Sequence, residues 1–299
     1  MRIQYRYVTF QKNKELIKTL EDLKVKYLFE EKDYGEGVES YFLEFNLYED
    51  ESNFEDRFKA VQKFDLFSHI GTEYEKRDYE IAEWFLISTR QYQYPQPEDN
   101  YLEKTFDSSN HCEHCGIGKI QNNPFRLKHL PKHKNSQFLG LHWEFEYLFI
   151  REEAKNILKK EKIKEIEFSN PVLHKKNIAI DNFYQLHVKK VLPKGLVNYN
   201  ARLITCKLNN EEDSNVDKSL KYCKRIKYHH PMVGGYVFNK EIFDDEFDIA
   251  LTAEYFGSGG SANRLTICSK RFKNIIESNK LRGLDFIPII HEKYEKKLK

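Results

Sequence analysis

No apolar run in the 299 residues approaches the roughly 20 that a membrane-spanning helix requires. The opening stretch, MRIQYRYVTFQKNKE, lacks the continuous apolar core of about 7–15 residues that marks a secretion signal. Cysteine is scarce: five residues, an odd number with one close pair, which excludes the dense disulfide framework of a small secreted domain. These absences set the expectation of a cytoplasmic protein. Catalytic signatures are missing too. There is no HExxH, GxSxG, GxxxxGK[ST] or clean GxGxxG, and no nuclease-like carboxylate set with a dependable lysine. A protein without enzymatic activity is expected.

Large apolar bodies are plentiful. Hydrophobic residues make up 40% of the chain, with 22 Phe and 19 Tyr, enough to bury real cores. Length leaves room for two domains or three small ones. Net charge is only +2 but unevenly placed. Residues 1–110 carry 15 Lys/Arg against 24 Asp/Glu, a net of −9, and residues 111–299 carry 34 against 23, a net of +11. An acidic half can steer a basic partner, and a basic half an acidic one.

Residues 1–72 read as six alternating elements. Residues 1–10 alternate apolar and polar, as a half-buried strand does. Leu16, Ile17, Leu20 and Leu23 then form one helical stripe. Strands at 25–30 and 40–47 flank a turn-rich stretch, and a helix near 53–64 and a strand near 66–72 close the set. The order β-α-β-β-α-β predicts a ferredoxin-like sandwich. Residues 73–110 read as a connector with a short helix over 78–85 and a Pro-containing loop over 92–100.

The remainder contains an internal echo. KNILKKEKIKEIEF (155–168) returns as KNIIESNKLRGLDF (273–286), and each copy then runs Pro-aliphatic-aliphatic-His. Ala154, Ile157 and Leu158 answer Phe272, Ile275 and Ile276 on the helical stripe. Upstream, Glu146–Tyr147 is matched to Glu254–Tyr255, with about ten residues looped into the second copy. The expected class is therefore α+β: the ferredoxin-like βαββαβ domain, then a duplicated strand–helix–strand unit with a zinc-ribbon turn. Repeat unit 1 occupies 111–177, with a strand at 138–150, and repeat unit 2 occupies 178–299. Gly283 stands at the helix-to-strand turn, where positive φ is welcome, and Glu165 stands there in the first copy.

His111-Cys112-Glu113-His114-Cys115-Gly116 is the sharpest local motif. Two thiolates three positions apart on a tight turn can face one zinc ion, and the glycine eases the turn. Tetrahedral zinc needs two more ligands. Cys206 and Cys223 are the candidates, with His129, His133, His229 and His230 as alternatives, so one structural zinc is expected. A redox CxxC is not, because no βαβ context sets this pair at a helix N-terminus. The run Phe256-Gly257-Ser258-Gly259-Gly260-Ser261 reads as a loop that distinguishes the second copy. His229-His230-Pro231 and the acidic group Asp244, Asp245, Glu246 and Asp248 read as surface or turn features. Lys155, Lys159, Lys160, Lys162, Lys164, Lys175 and Lys176 could contact phosphates, which makes a zinc-ribbon nucleic-acid binder the alternative function.

The CxxCG at 112–116, the duplicated unit and the endings IEFSNPV and LDFIPI resemble bacterial immunity proteins of polymorphic-toxin systems, the double-CxxCG type and its relatives. The likeness spans roughly residues 110–291, and the chain departs from it in having one CxxCG rather than two. The resemblance implies a cytoplasmic, non-enzymatic protein that neutralises a cognate toxin by stoichiometric binding. The acidic half would suit a basic nuclease toxin, and Tyr92, Tyr94 and Tyr101 are the expected contact residues.

Overall fold

A computed structural model describes residues 1–34, 39–89, 91–92, 96–98, 100–131, 135–197, 202–206, 223–231, 233–244 and 246–291. The protein is α+β, about 20% helix and 39% strand. It divides into two compact units, residues 1–80 with 231–235, and residues 81–230 with 236–299. The boundary thus falls inside the expected connector. No helix among the described residues is long and apolar enough to cross a membrane.

The first unit contains β1 (Arg2–Thr9), α1 (Lys14–Asp22), β2 (Tyr27–Asp33), β3 (Glu39–Tyr48), α2 (Phe54–Gln62) and β4 (Phe67–Glu73). Its sheet runs β2-β3-β1-β4, antiparallel throughout. Asn13 caps α1 by accepting from the Leu16 N–H, satisfying one of the donors a helix start leaves free. Leu16 and Leu20 of α1 and Phe54 and Val61 of α2 meet Tyr7, Leu43, Phe45 and Leu47, so the alternation in the strands supplies one apolar face for both helical stripes.

The second unit is built on two sheets with matching pairings. The first uses β6 (Phe138–Leu141), β7 (Glu144–Arg151), β8 (Ile166–Ser169) and β9 (Phe183–Val188), with α3 (Glu152–Lys160) between β7 and β8. The second uses β5 (Trp84–Thr89), β12 (Ile249–Phe256), β13 (Asn263–Ser269) and β14 (Leu284–Pro288), with α4 (Lys270–Ser278) between β13 and β14. The orders are β8-β9-β7-β6 and β14-β5-β13-β12, and every pair within them is antiparallel. Two short strands, β10 (Leu203–Thr205) and β11 (Ile226–Tyr228), extend the second sheet beside β12.

Register agrees as well as order. Ile150 faces Phe138 and Tyr184, and Cys268, 118 positions later, faces Ile249 and Phe85. Phe168 faces Leu186 as Phe286 faces Ile87. The strand between hairpin and final strand comes from opposite directions, however. β9 follows its helix in sequence, whereas β5 precedes everything else in the unit.

Several expectations change here. Residues 84–85, expected at the end of the connector helix, instead open β5, an internal strand, because the side chains of Phe85 and Leu86 fill buried positions on opposite faces. The helix stops at Ile81. Residues 138–150 are not one strand but a hairpin turning at His142–Trp143. Glu146 lies in β7 and Glu254 in β12, so the sequence match of those two joins non-corresponding strands; the residue in the place of Glu146 is Arg264 of β13. The segments 111–177 and 178–299 fall in the second compact unit, apart from residues 231–235.

Candidate metal centre

The turn at 111–116 is tied by its own backbone. The Gly116 N–H donates to the Cys112 carbonyl (2.7 Å) and the Cys112 N–H to the Ile117 carbonyl (3.0 Å). Gly116 has φ +79°, and a Cβ there would run into the Gly260 carbonyl oxygen, so the turn needs glycine. Both thiols of the CxxC point to one side. Cys206 follows β10 and Cys223 precedes β11; the ladder continues between them, with the Cys206 N–H on the Arg225 carbonyl (2.9 Å) and the Lys224 N–H on the Cys206 carbonyl (3.1 Å). Residues 207–222 lie outside the described residues.

The four thiols converge. All four sulfurs lie within 4.8 Å of one another, with Cys112···Cys206 at 3.7 Å and Cys115···Cys223 at 3.5 Å. A tetrahedron of sulfurs around zinc at 2.3 Å has edges of about 3.8 Å, so these two pairs sit near the span zinc requires. Cys112, Cys115 and Cys206 are buried and Cys223 is half-buried. Ile117, Tyr255 and Ala262 pack around them.

Electrostatics around the sulfurs favour anions on one side. Burial opposes ionisation at Cys223, yet the Arg225 backbone N–H and guanidinium outweigh it and bring the thiol down to about 6. Burial likewise opposes ionisation at Cys112, where the Cys115 and His114 N–H groups carry its thiol below the usual range. Burial pushes Cys115 up to about 12 and raises Cys206. A divalent cation bound to all four would supply the charge that the last two lack.

Lys227, 2% exposed, is the residue the sequence reading missed. Its Nζ donates to the carbonyls of Cys115 (2.9 Å), Gly259 (2.5 Å) and Ser261 (2.8 Å), so one ammonium ties the metal turn to the Gly-Ser run. That run is the turn of the β12–β13 hairpin, packed against the CxxCG. A signal was present: Lys119 and Lys227 each stand four residues after a cysteine of the set. Lys119 instead pairs with buried Glu144.

The other expected residues fall elsewhere. His229 and His230 are outside the sulfur cluster, and His230 Nδ1 lies 2.6 Å from the Tyr236 hydroxyl. His129 is exposed and His133 lies outside the described residues. Asp248 meets Arg271 (2.7 Å) and Glu246 meets Lys164 (2.9 Å), an acidic turn neutralised by cations, while Asp245 lies outside the described residues. Tyr101 is not an exposed anchor. At 3% exposure it packs on Phe106 and Phe125 and receives a hydrogen bond from the Trp143 indole, because a ring this large is worth more in the core than in water. Tyr92 contributes backbone pairing to Leu141, with its side chain outside the described residues, as is all of Tyr94.

No protein-family model matches the chain, and no curated protein matches it.

Proposed function

We propose that Cys112, Cys115, Cys206 and Cys223 hold one structural zinc ion, and that the chain is a non-enzymatic binding protein of the immunity type, neutralising a cognate bacterial toxin by stoichiometric occlusion in the cytoplasm. The observation that carries this reading is the convergence of two cysteine pairs, 94 and 108 residues apart, into one buried cluster. The departure from the double-CxxCG pattern then has a simple account. Cys206 and Cys223 are the second pair, separated by an insertion over 207–222.

The matched registers of the two sheets support a duplication. In this reading each copy is a strand, a hairpin, a helix and a final strand. The leading strand of each copy completes the other copy's sheet: β5 stands between β13 and β14, and β9 between β7 and β8. Each copy contributes two cysteines, so the metal pins the copies together where they meet. The first unit, by its element order and β2-β3-β1-β4 sheet, is proposed as a ferredoxin-like sandwich; its acidic surface would meet a basic toxin.

Zinc would act here by closing the turn and by joining distant segments, a structural role worth folding free energy outright. The test has two arms. Metal analysis of the purified chain is expected to find one zinc per chain, lost in Cys112→Ser. Co-expression with the toxin encoded beside this gene is expected to restore growth and yield a one-to-one complex. A chain that protects against no adjacent toxin overturns the immunity reading, and retention on DNA or RNA at about 100 mM salt would favour the nucleic-acid alternative instead.

A further inference from the structure

The sulfur cluster has a directional pattern beyond its match to a metal. Two of its contacts are Cys112···Cys206 (3.7 Å) and Cys115···Cys223 (3.5 Å). Both join the 111–116 turn to the segments flanking 207–222, and neither is the CxxC pair itself. Closing either contact to a disulfide of 2.05 Å needs a sulfur movement of roughly 1.5 Å, within reach of small side-chain rotations.

We propose that this cluster is an oxidation site at which a peroxide converts the four thiolates into two crossed disulfides, Cys112–Cys206 and Cys115–Cys223, releasing zinc while the same segments stay stapled. The release of zinc rests on the metal reading above; the connectivity of the disulfides does not. In each pair one thiolate attacks the peroxide O–O bond, becoming a sulfenic acid as hydroxide leaves. The partner thiolate then attacks that sulfur, the S–S bond forms and a second hydroxide departs. Each disulfide consumes one hydrogen peroxide and two protons and yields two waters. Two disulfides therefore use two peroxides, and zinc leaves because no thiolate remains to hold it.

Access is one-sided. A shallow surface depression of about 400 Å³ opens onto Cys112 and Cys223, bordered by His111, His114 and Arg225. Cys223 is the least buried of the four sulfurs, so attack starts there or at Cys112. The fifth cysteine supplies an internal control. Cys268 is fully buried within β13, and burial pushes its thiol well above the ordinary range, so it stays reduced.

The experiment uses the full-length chain, reduced and zinc-loaded, titrated with hydrogen peroxide. A chromogenic chelator reads zinc release, and peptide mass spectrometry maps the disulfides. The expected result is two peroxides consumed per zinc released, a fall in free thiols from five to one, and the two crossed linkages with Cys268 reduced. Linkages Cys112–Cys115 and Cys206–Cys223 would overturn the proposal, as would sulfinic or sulfonic acids without disulfide, or thiols unchanged in excess peroxide. The same titration on protein prepared without metal is expected to give the same two crossed linkages. A chain that binds no zinc therefore sinks the metal reading alone, while wrong connectivity sinks the oxidation site alone.

Discussion

The two sheets of the second unit share a register but not the devices that hold their turns and corners. At the turn from helix to final strand, Glu165 has φ +65° where Gly283 has φ +106°. At the entrance to the hairpin, neutral Gln137 accepts from the Arg282 N–H (2.9 Å), while charged Asp248 accepts from the Lys164 N–H (3.0 Å) and also pairs with Arg271. At the helix start, Ser269 caps α4 through the Phe272 N–H, whereas Arg151 before α3 makes no such bond. Between the sheets, Glu146 and Arg264, 118 positions apart, form an ion pair across facing strands β7 and β13. The lesson is a division of labour. Apolar periodicity and strand register carry the shared architecture, and polar details are free to diverge provided each buried group finds a partner.

The sharpest way to break the comparison is at the turn. A Cβ on Gly283 would run into the Phe138 carbonyl oxygen, besides the cost of its φ. Gly283→Ala is expected to cost about 3 kcal/mol in chemical denaturation, whereas Glu165→Gly stabilises by about 1 kcal/mol because it relieves a left-handed non-glycine residue. Equal effects at both positions would mean the two turns are not counterparts.

Next comes the hairpin corner. Asp248→Ala removes a buried, charge-assisted acceptor and is expected to cost about 3 kcal/mol, against about 1 kcal/mol for Gln137→Ala, since hydrogen bonds to charged groups are the stronger class. Thermal or urea unfolding of the two variants would reveal the ratio. A smaller step is the helix start: Ser269→Ala should lose about 1 kcal/mol, and Arg151→Ser should gain about half that, by supplying the missing cap. A null result at Arg151 would show that α3 is held by packing alone.

The smallest expected effect is one of pH. His187 in β9 is partly buried, 2.7 Å from the Ser169 hydroxyl, and burial carries its pKa below 6.5; Lys189 adds to this while Glu167 opposes it. Below 6.5 the unfolded chain takes up a proton that the folded imidazole refuses. The stabilisation is therefore present above 6.5 and lost as pH falls through 6.5 toward the folded value. The corresponding position in β5 is Ser88, which does not titrate. His187→Gln should flatten stability measured between about pH 7 and 5; an unchanged slope would remove His187 from the account.

Much of the first unit was legible in its residues. The stripe of Leu16 and Leu20, the alternation around Tyr7 and Phe45 and the breaks between them mark the order and approximate bounds of all six elements, since helices and strands bury residues at fixed short spacing. The helix and final strand of each sheet in the second unit were equally readable from Ala154, Leu158, Phe272 and Ile276. The strand β5 was not. Asp-Tyr-Glu-Ile-Ala-Glu-Trp-Phe supports a helical stripe locally, and only pairing with β13 and β14, far along the chain, selects strand from Trp84 onward. Tyr101 was misplaced for a related reason, as a tyrosine in a polar, Pro-rich neighbourhood carries no local mark of the core that closes over it.

By itself the sequence determined the α+β class, the apolar stripes of the helices and the CxxCG turn, and it offered Cys206 and Cys223 beside four histidines as partners for that turn. The convergence of the four thiols was decided only by tertiary structure, as were the places of β5 between β13 and β14 and of β9 between β7 and β8, and the place of Lys227 beneath the Gly-Ser turn. The physical reason is range. Secondary structure follows from side chains three or four residues apart, whereas the sulfurs meet across 94 and 108 residues, and such pairs are brought together by the packing of whole sheets.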